Sequence, residues 1–302
     1  MRFTTKTLIF VFFFGFGAAH SAIRIVATTQ DLASIAQSIG GEKIEVQSLT
    51  SGTRDPHFAE AKPSMIRKVF KADLLLLVGA DMEIGWLPAL LQSGRNSDVQ
   101  VGGSGHLDLS NSVRLLDKPQ GAIDRSMGDV HTKGNPHYWL DPRNGINMSK
   151  AIAERLSELD PENKQFYQSQ QIVFENKLNQ KFKEWRNLLS PLRGQSVIAY
   201  HKSLIYLADA FEFNIVGEVE PKPGIAPSAG QLNHLVDLIR KENVSLLIME
   251  PYYEKRSSEY LSKQTKINVA VLPQSVKSMP NIENYFDLFD GIVLSLKKAG
   301  GF

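Results

Sequence analysis

Residues 162–189 read ENKQFYQSQQIVFENKLNQKFKEWRNLL. Phe174, Leu178, Phe182, Trp185 and Leu189 recur at steps of three and four, while the other faces carry Lys, Gln, Glu and Asn. That spacing predicts one helix with a single apolar stripe. At 1.5 Å per residue it runs for roughly 40 Å, longer than one small domain needs. Periodicity alone fits an ordinary surface helix as well as a strut between two lobes. The pattern on either side favours the strut.

Upstream, short apolar runs alternate with amphipathic ones. Ile23–Ala27, Ile44–Leu49, Asp73–Val78 and Val99–Val101 read as strands. Asp31–Ile39, the stretch opened by Pro63, Ile84–Leu91 and Met148–Leu159 read as helices. Downstream the pattern returns. Strands are expected at Val197–Tyr200, Ile215–Val219, Val244–Met249 and Val269–Leu272, with helices at Leu204–Phe211, from Ser228 to Lys241, Tyr253–Gln264 and Glu283–Leu296. The run at 73–78 is apolar on both faces, as a buried parallel strand is. The expected fold is therefore α/β: two lobes, each a roughly four-stranded parallel sheet flanked by helices, joined by one long backbone helix. The expected divisions are 1–21 as a signal peptide, 22–160 as the N-terminal lobe, 161–190 as the linking helix and 191–302 as the C-terminal lobe. Residues 102–135 are rich in Gly, Ser and Asp and show no period; a long loop of this kind is often functional.

The first residues form a separate unit. Arg2 and Lys6 precede the apolar run Thr7–Gly17, and small residues follow at Ala18, Ala19, Ser21 and Ala22. This is the order of a cleaved secretory signal, and the apolar run falls short of the roughly 20 residues a membrane span needs. Removing Arg2 and Lys6 leaves 32 basic residues against 32 acidic ones, so the totals carry no basic patch and point away from nucleic acid. The sequence contains no cysteine. That excludes disulfides, thiolate metal ligands and a catalytic cysteine. It also removes the residue on which a lipid anchor would be built, so the expected location is the periplasm, reached by a cleaved signal peptide.

The chemistry gathers at strand ends. His137 stands in Asn135-Pro136-His137-Tyr138-Trp139-Leu140-Asp141-Pro142, between two prolines that fix their own φ and push their preceding residues out of helix. His57 follows Asp55-Pro56 after the second strand, His201 follows the strand at 197–200, and Glu250 follows the strand at 244–249. In open parallel sheets ligands bind beyond the carboxyl ends of the strands. Three imidazoles and a carboxylate make a nitrogen/oxygen set suited to tetrahedral Zn²⁺. Each histidine taken alone also fits a solvated loop side chain, and Glu250 alone fits a cap or an ion pair. His106, His131 and His234 read as surface residues, with His131 in the loose loop where it would assist metal capture; His20 leaves with the signal. Three histidines and an open position also fit a secreted zinc hydrolase with Glu250 as general base, although no His-Glu-x-x-His helix is present.

Taken together, Asp55-Pro56-His57, the 135–142 stretch, Tyr200-His201-Lys202-Ser203 and Met249-Glu250-Pro251 resemble the metal-binding solute-binding proteins of bacterial zinc and manganese ABC importers. The resemblance covers essentially all of the chain beyond residue 21. It implies two α/β lobes on a long backbone helix, no catalysis, a metal held between the lobes, and delivery to a membrane permease by a monomer. It implies His57 and His137 as ligands from the first lobe and His201 as the third, where histidine rather than glutamate goes with zinc. Two departures stand out. Many members supply a late aspartate in a Leu-Asp-Pro context, whereas this chain reads Leu272-Pro273-Gln274-Ser275. Many zinc members carry a histidine-rich loop before the second ligand, whereas 112–135 holds only His131. The expected ligand set is thus His57, His137, His201 and Glu250 or water around Zn²⁺, with manganese or an iron chelate as the alternatives.

Overall fold

In the computed structural model, residues 22–119, 131–222 and 224–302 are described. The expected signal peptide and residues 120–130 of the long loop lie outside them. The first sheet contains β1 (Ile23–Ala27), β2 (Ile44–Ser48), β3 (Leu74–Leu77) and β4 (His106–Asp108), in the order β2-β1-β3-β4. The second contains β5 (Ser196–Ala199), β6 (Asn214–Glu218), β7 (Leu246–Met249) and β8 (Asn268–Val271), in the order β6-β5-β7-β8. Every pairing is parallel. The central strands β3 and β7 are buried along their whole length, which is why their sequences are all apolar.

Nine α-helices are present among the described residues: α1 (Gln30–Gly40), α2 (Pro63–Lys71), α3 (Leu87–Gly94), α4 (Pro142–Leu159), α5 (Lys164–Leu188), α6 (Ile205–Phe211), α7 (Ala229–Lys241), α8 (Arg256–Thr265) and α9 (Tyr285–Gly300). Their starts follow local chemistry. Thr29, Asp141 and Ser228 accept backbone N–H bonds as N-caps, and Asn284 with Asp287 forms a capping box.

The long helix α5 has 25 residues and buries Tyr167, Phe174, Leu178 and Trp185. It packs on α1 and α4 from the first half and on α9 from the second. Trp185 stacks on Phe289 at 5.0 Å between ring centroids and donates its indole N–H to Asp290 at 2.7 Å. One apolar core runs from Ile25 and Leu74 through Trp139 and Phe174 to Val197, Leu246 and Phe289, so the two sheets share an interior.

The expected fourth strand is displaced. Val99 closes a short 3-10 turn (Ser97–Val99) and Val101 is exposed, while His106–Asp108 pairs with β3 instead. The glycines at 102, 103 and 105 make the connection between them. Gly103 and Gly105 lie too close to the backbone of Asp98 and Asp73 to carry a Cβ, so the chain turns where a strand was expected. α4 begins at Pro142, six residues before the apolar period becomes visible, because Asp141 caps it.

Polar bonds across the seam fix the halves against each other. The buried Asp31 carboxylate accepts from Ser275 Oγ at 2.6 Å and from the Val276 amide at 2.9 Å. Trp139 Nε1 donates to the Gln274 carbonyl at 3.0 Å, and the Tyr285 hydroxyl donates to the Trp139 carbonyl at 2.6 Å. A Cβ on Gly52 would stand 2.0 Å from the Val276 carbonyl oxygen, so only glycine permits that approach.

A three-histidine centre at the seam

His57, His137 and His201 meet between the two sheets. One ring nitrogen of each lies within 4.8 Å of the others. Ring centroids are 5.1 Å apart for His57 and His137, 5.5 Å for His137 and His201, and 5.9 Å for His57 and His201. His137 and His201 are buried, and the His57 side chain is 6% exposed.

Each ring is aimed by a hydrogen bond at Nδ1. His57 sits in a 3-10 turn (Pro56–Phe58), with Asp55 Oδ1 2.5 Å from its Nδ1 and accepting its backbone N–H at 3.0 Å. The indole of Trp86 fixes this turn by donating to the Pro56 carbonyl at 3.0 Å. His201 Nδ1 lies 2.7 Å from Glu220 Oε2. His137 Nδ1 lies 3.0 Å from Asn135 Oδ1. The Asn135 amide has no freedom to flip, since its Nδ2 donates to the Lys202 carbonyl at 2.6 Å. Asn135 Oδ1 and the two carboxylates only accept, so each Nδ1 carries a proton and Nε2 is the nitrogen left for the centre. Outer partners of this kind orient metal-binding imidazoles. Asn135 is itself tied across the seam, its carbonyl accepting from Tyr206 at 2.7 Å.

The electrostatics differ from ring to ring. Burial and the neighbouring His57, His201 and His131 push His137 well below its ordinary value, so it is a neutral imidazole. Burial also opposes charge on His201, but Glu220, Glu250 and Asp55 outweigh it and raise that ring. Burial opposes the Asp55 charge as well, yet its bonds and charge contact with His57 hold the carboxyl below its usual range.

Glu250 stands outside the three-ring cluster. It is buried, its Oε1 accepts from the Ser203 hydroxyl, and its Oε2 has no hydrogen-bond partner. Burial pushes it up to about 7, against the pull of His201 and Ser203. Gln274, in the Leu272-Pro273-Gln274-Ser275 stretch, is buried with its Nε2 unpartnered.

Two of the histidines expected at the surface are only partly exposed. His106 lies in β4, half-buried, with Nδ1 3.0 Å from the Val99 carbonyl. His131 is half-buried, and its Nε2 lies 3.1 Å from Nε2 of His57. His234 is exposed on α7. Glu220 and Asn135 carry no signal in the sequence that marks them as partners of His201 and His137; only the fold brings Glu220 to His201 from another strand end.

The family model described as "Zinc-uptake complex component A periplasmic" matches residues 25–299. Among curated proteins, the "Metal ABC transporter substrate-binding lipoprotein SloC" of Streptococcus mutans is 28% identical over 266 residues, covering 83% of this chain and 80% of that protein. The "Manganese ABC transporter substrate-binding lipoprotein PsaA" of Streptococcus mitis is 26% identical over 259 residues, covering 83% and 80%. Among solved structures, a crystal structure of ZnuA superposes with a TM-score of 0.76 at 23% identity, over 93% of this chain and 100% of that one. The Mn-bound periplasmic metal binding protein from Candidatus Liberibacter asiaticus gives 0.75 at 17% identity, over 91% and 98%. These structures share the two-sheet fold. The hydrolase alternative falls with the family match, because the family is one of solute-binding components of importers. The chain belongs to the zinc-uptake component A family, and it is not an enzyme.

Proposed function

We propose that this protein captures Zn²⁺ through Nε2 of His57, His137 and His201 and delivers it to the membrane permease of an ABC importer. The observation that carries this reading is the convergence of one ring nitrogen from each of three histidines within 4.8 Å, with each ring held from behind at Nδ1. Glu250 contributes a buried carboxylate beside His201 that offsets the charge of the ion. In this reading residues 22–160 and 191–302 are the two lobes, 161–190 joins them, and the ion sits at their seam.

Relatives include proteins named for manganese, so the choice of metal rests on the donors. An imidazole cluster suits zinc, whereas manganese favours carboxylate, carbonyl and water oxygens. Mg²⁺ and Ca²⁺ are disfavoured for the same reason. The burial of His137 and His201 supports a bare ion over a bulky iron chelate. Residues 1–21 are read as a cleaved export signal and the working location as the periplasm; the two streptococcal relatives are named lipoproteins, but this sequence has no cysteine to lipidate. The protein acts as a monomer.

The test is a competition on residues 22–302, stripped of metal and offered equal Zn²⁺ and Mn²⁺. One zinc per chain, lost in His57→Ala, is expected. A preference for manganese would overturn the metal assignment, and binding unchanged in His57→Ala would overturn the site.

A further inference from the structure

His131 is absent from the expected ligand set, yet it is in direct contact with the centre. Its Nε2 is 3.1 Å from Nε2 of His57, and the two ring centroids are 5.1 Å apart. Asp55 accepts a hydrogen bond from His57 Nδ1–H, so the neutral His57 ring accepts at Nε2 in this contact and His131 Nε2 donates. Zinc at His57 would claim the lone pair that now accepts from His131. The bond between the two rings must therefore break when the ion enters, which releases His131 beside it.

The spacing suits a second outcome for that ring. Two nitrogens bound to one tetrahedral zinc at 2.0–2.1 Å lie about 3.3 Å apart. The His57–His131 separation is already close to that edge. The backbone of His131 is held within reach of the site: Thr132 donates its N–H and its hydroxyl to Asp81 at 2.9 and 2.5 Å, and the next turn is tied by Asn135 N–H to the Leu116 carbonyl at 2.9 Å. The ring borders a cleft of about 380 Å³ with Phe58, Met82 and Ile84, which leaves room for it to turn. Glu250 has no such freedom, being buried under Ser203. Neither residue is grouped with the three cluster nitrogens, so either side chain would have to move to join them.

We propose that His131 is the fourth zinc ligand, hydrogen-bonded to His57 before capture and turning onto the ion through Nε2 as that bond breaks. The proton on His131 then resides at Nδ1, exchanged through solvent, so no net charge is created on the ring. This inference rests on the capture function proposed above. It makes the site a four-imidazole one whose last ligand stands on the open side of the seam.

Zinc-edge X-ray absorption on the stripped and reloaded wild type and on His131→Ala tests it. Four imidazoles in the wild type and three in the variant are expected, with zinc affinity in the variant lower by tenfold or more and the metal-free melting temperature unchanged. Three imidazoles plus one oxygen in the wild type, with the spectrum and affinity retained in His131→Ala, would overturn the proposal. Loss of the oxygen in Glu250→Gln would then assign that position to Glu250. A wild type that takes up no zinc would instead overturn the capture reading itself, and the two failures are told apart by the reloading step.

Discussion

The two sheets have the same strand order and opposite roles at the seam. The first edge supplies His57 and His137, and at His137 the orienting partner is an amide that stays neutral. The second edge supplies His201, whose partner is the Glu220 carboxylate, with Glu250 buried beside it. The first edge thus presents a neutral ring ready to coordinate at His137, while the second collects negative charge. A divalent cation entering between them loses water, and buried charge without a partner is costly. In the proposed capture role the asymmetry would meet that cost: nitrogen donors, two from the first edge and one from the second, would hold the ion, and the carboxylates of the second edge would balance it. Asp55 is the exception on the first side, where it orients the His57 ring.

This difference can be broken in steps. The largest effect is expected from His137→Ala, which removes the neutral buried donor. Zinc affinity should fall by about a thousandfold or more in competitive titration, with the far-UV circular dichroism of the metal-free protein retained. Unchanged affinity would take the first edge out of the site.

The seam that holds the two edges at their separation is probed by Asp31. Burial raises its carboxyl to about 6, against the hydrogen bonds from Ser275 and Val276. The folded value lies above the unfolded one, so the folded chain binds this proton more tightly. The contribution to stability is full below about pH 4 and is lost as pH rises through 6. Denaturant unfolding of metal-free Asp31→Asn should therefore lack a decline, on the order of 3 kcal/mol, that this group gives the wild type across that window. Identical pH slopes in the two proteins would contradict the burial argument.

Glu220→Gln sharpens the contrast between amide and carboxylate partners, because it gives His201 the kind of partner His137 already has. A loss of roughly 10- to 100-fold in zinc affinity is expected, the usual range for an outer partner of a metal-bound ring. An unaltered affinity would show that the charge on the second edge is not needed. The smallest effect belongs to His106→Ala. Zinc affinity should not change, and stability should drop by about 1 kcal/mol for the lost contact to Val99.

Much of this architecture is legible in the sequence because parallel strands that are buried on both faces are spelled in uninterrupted apolar runs. Leu74–Leu77 and Leu246–Met249 are of this kind, and Glu250, which follows the second, lies near His201. β4 is not legible, since His106-Leu107-Asp108 has no apolar run and is made a strand only by pairing with β3. The orienting shell is hidden for a related reason. Glu220 follows β6 and reaches His201 after β5, a juxtaposition set by the strand order and not by spacing. His131 reads as a polar loop residue until the turn at 131–134 is seen tied back to Asp81 and Leu116. The three imidazoles themselves are marked by their settings, after a strand or between prolines, which is where stiff backbone can aim a ring.

The measurement that bears most directly on the account is anomalous diffraction at the zinc edge from crystals of residues 22–302 grown with zinc. One strong peak is expected at the seam, about 2.0–2.1 Å from Nε2 of His57, His137 and His201, with every Nδ1 still bonded to Asp55, Asn135 or Glu220. A peak elsewhere, or coordination through Nδ1, would contradict it.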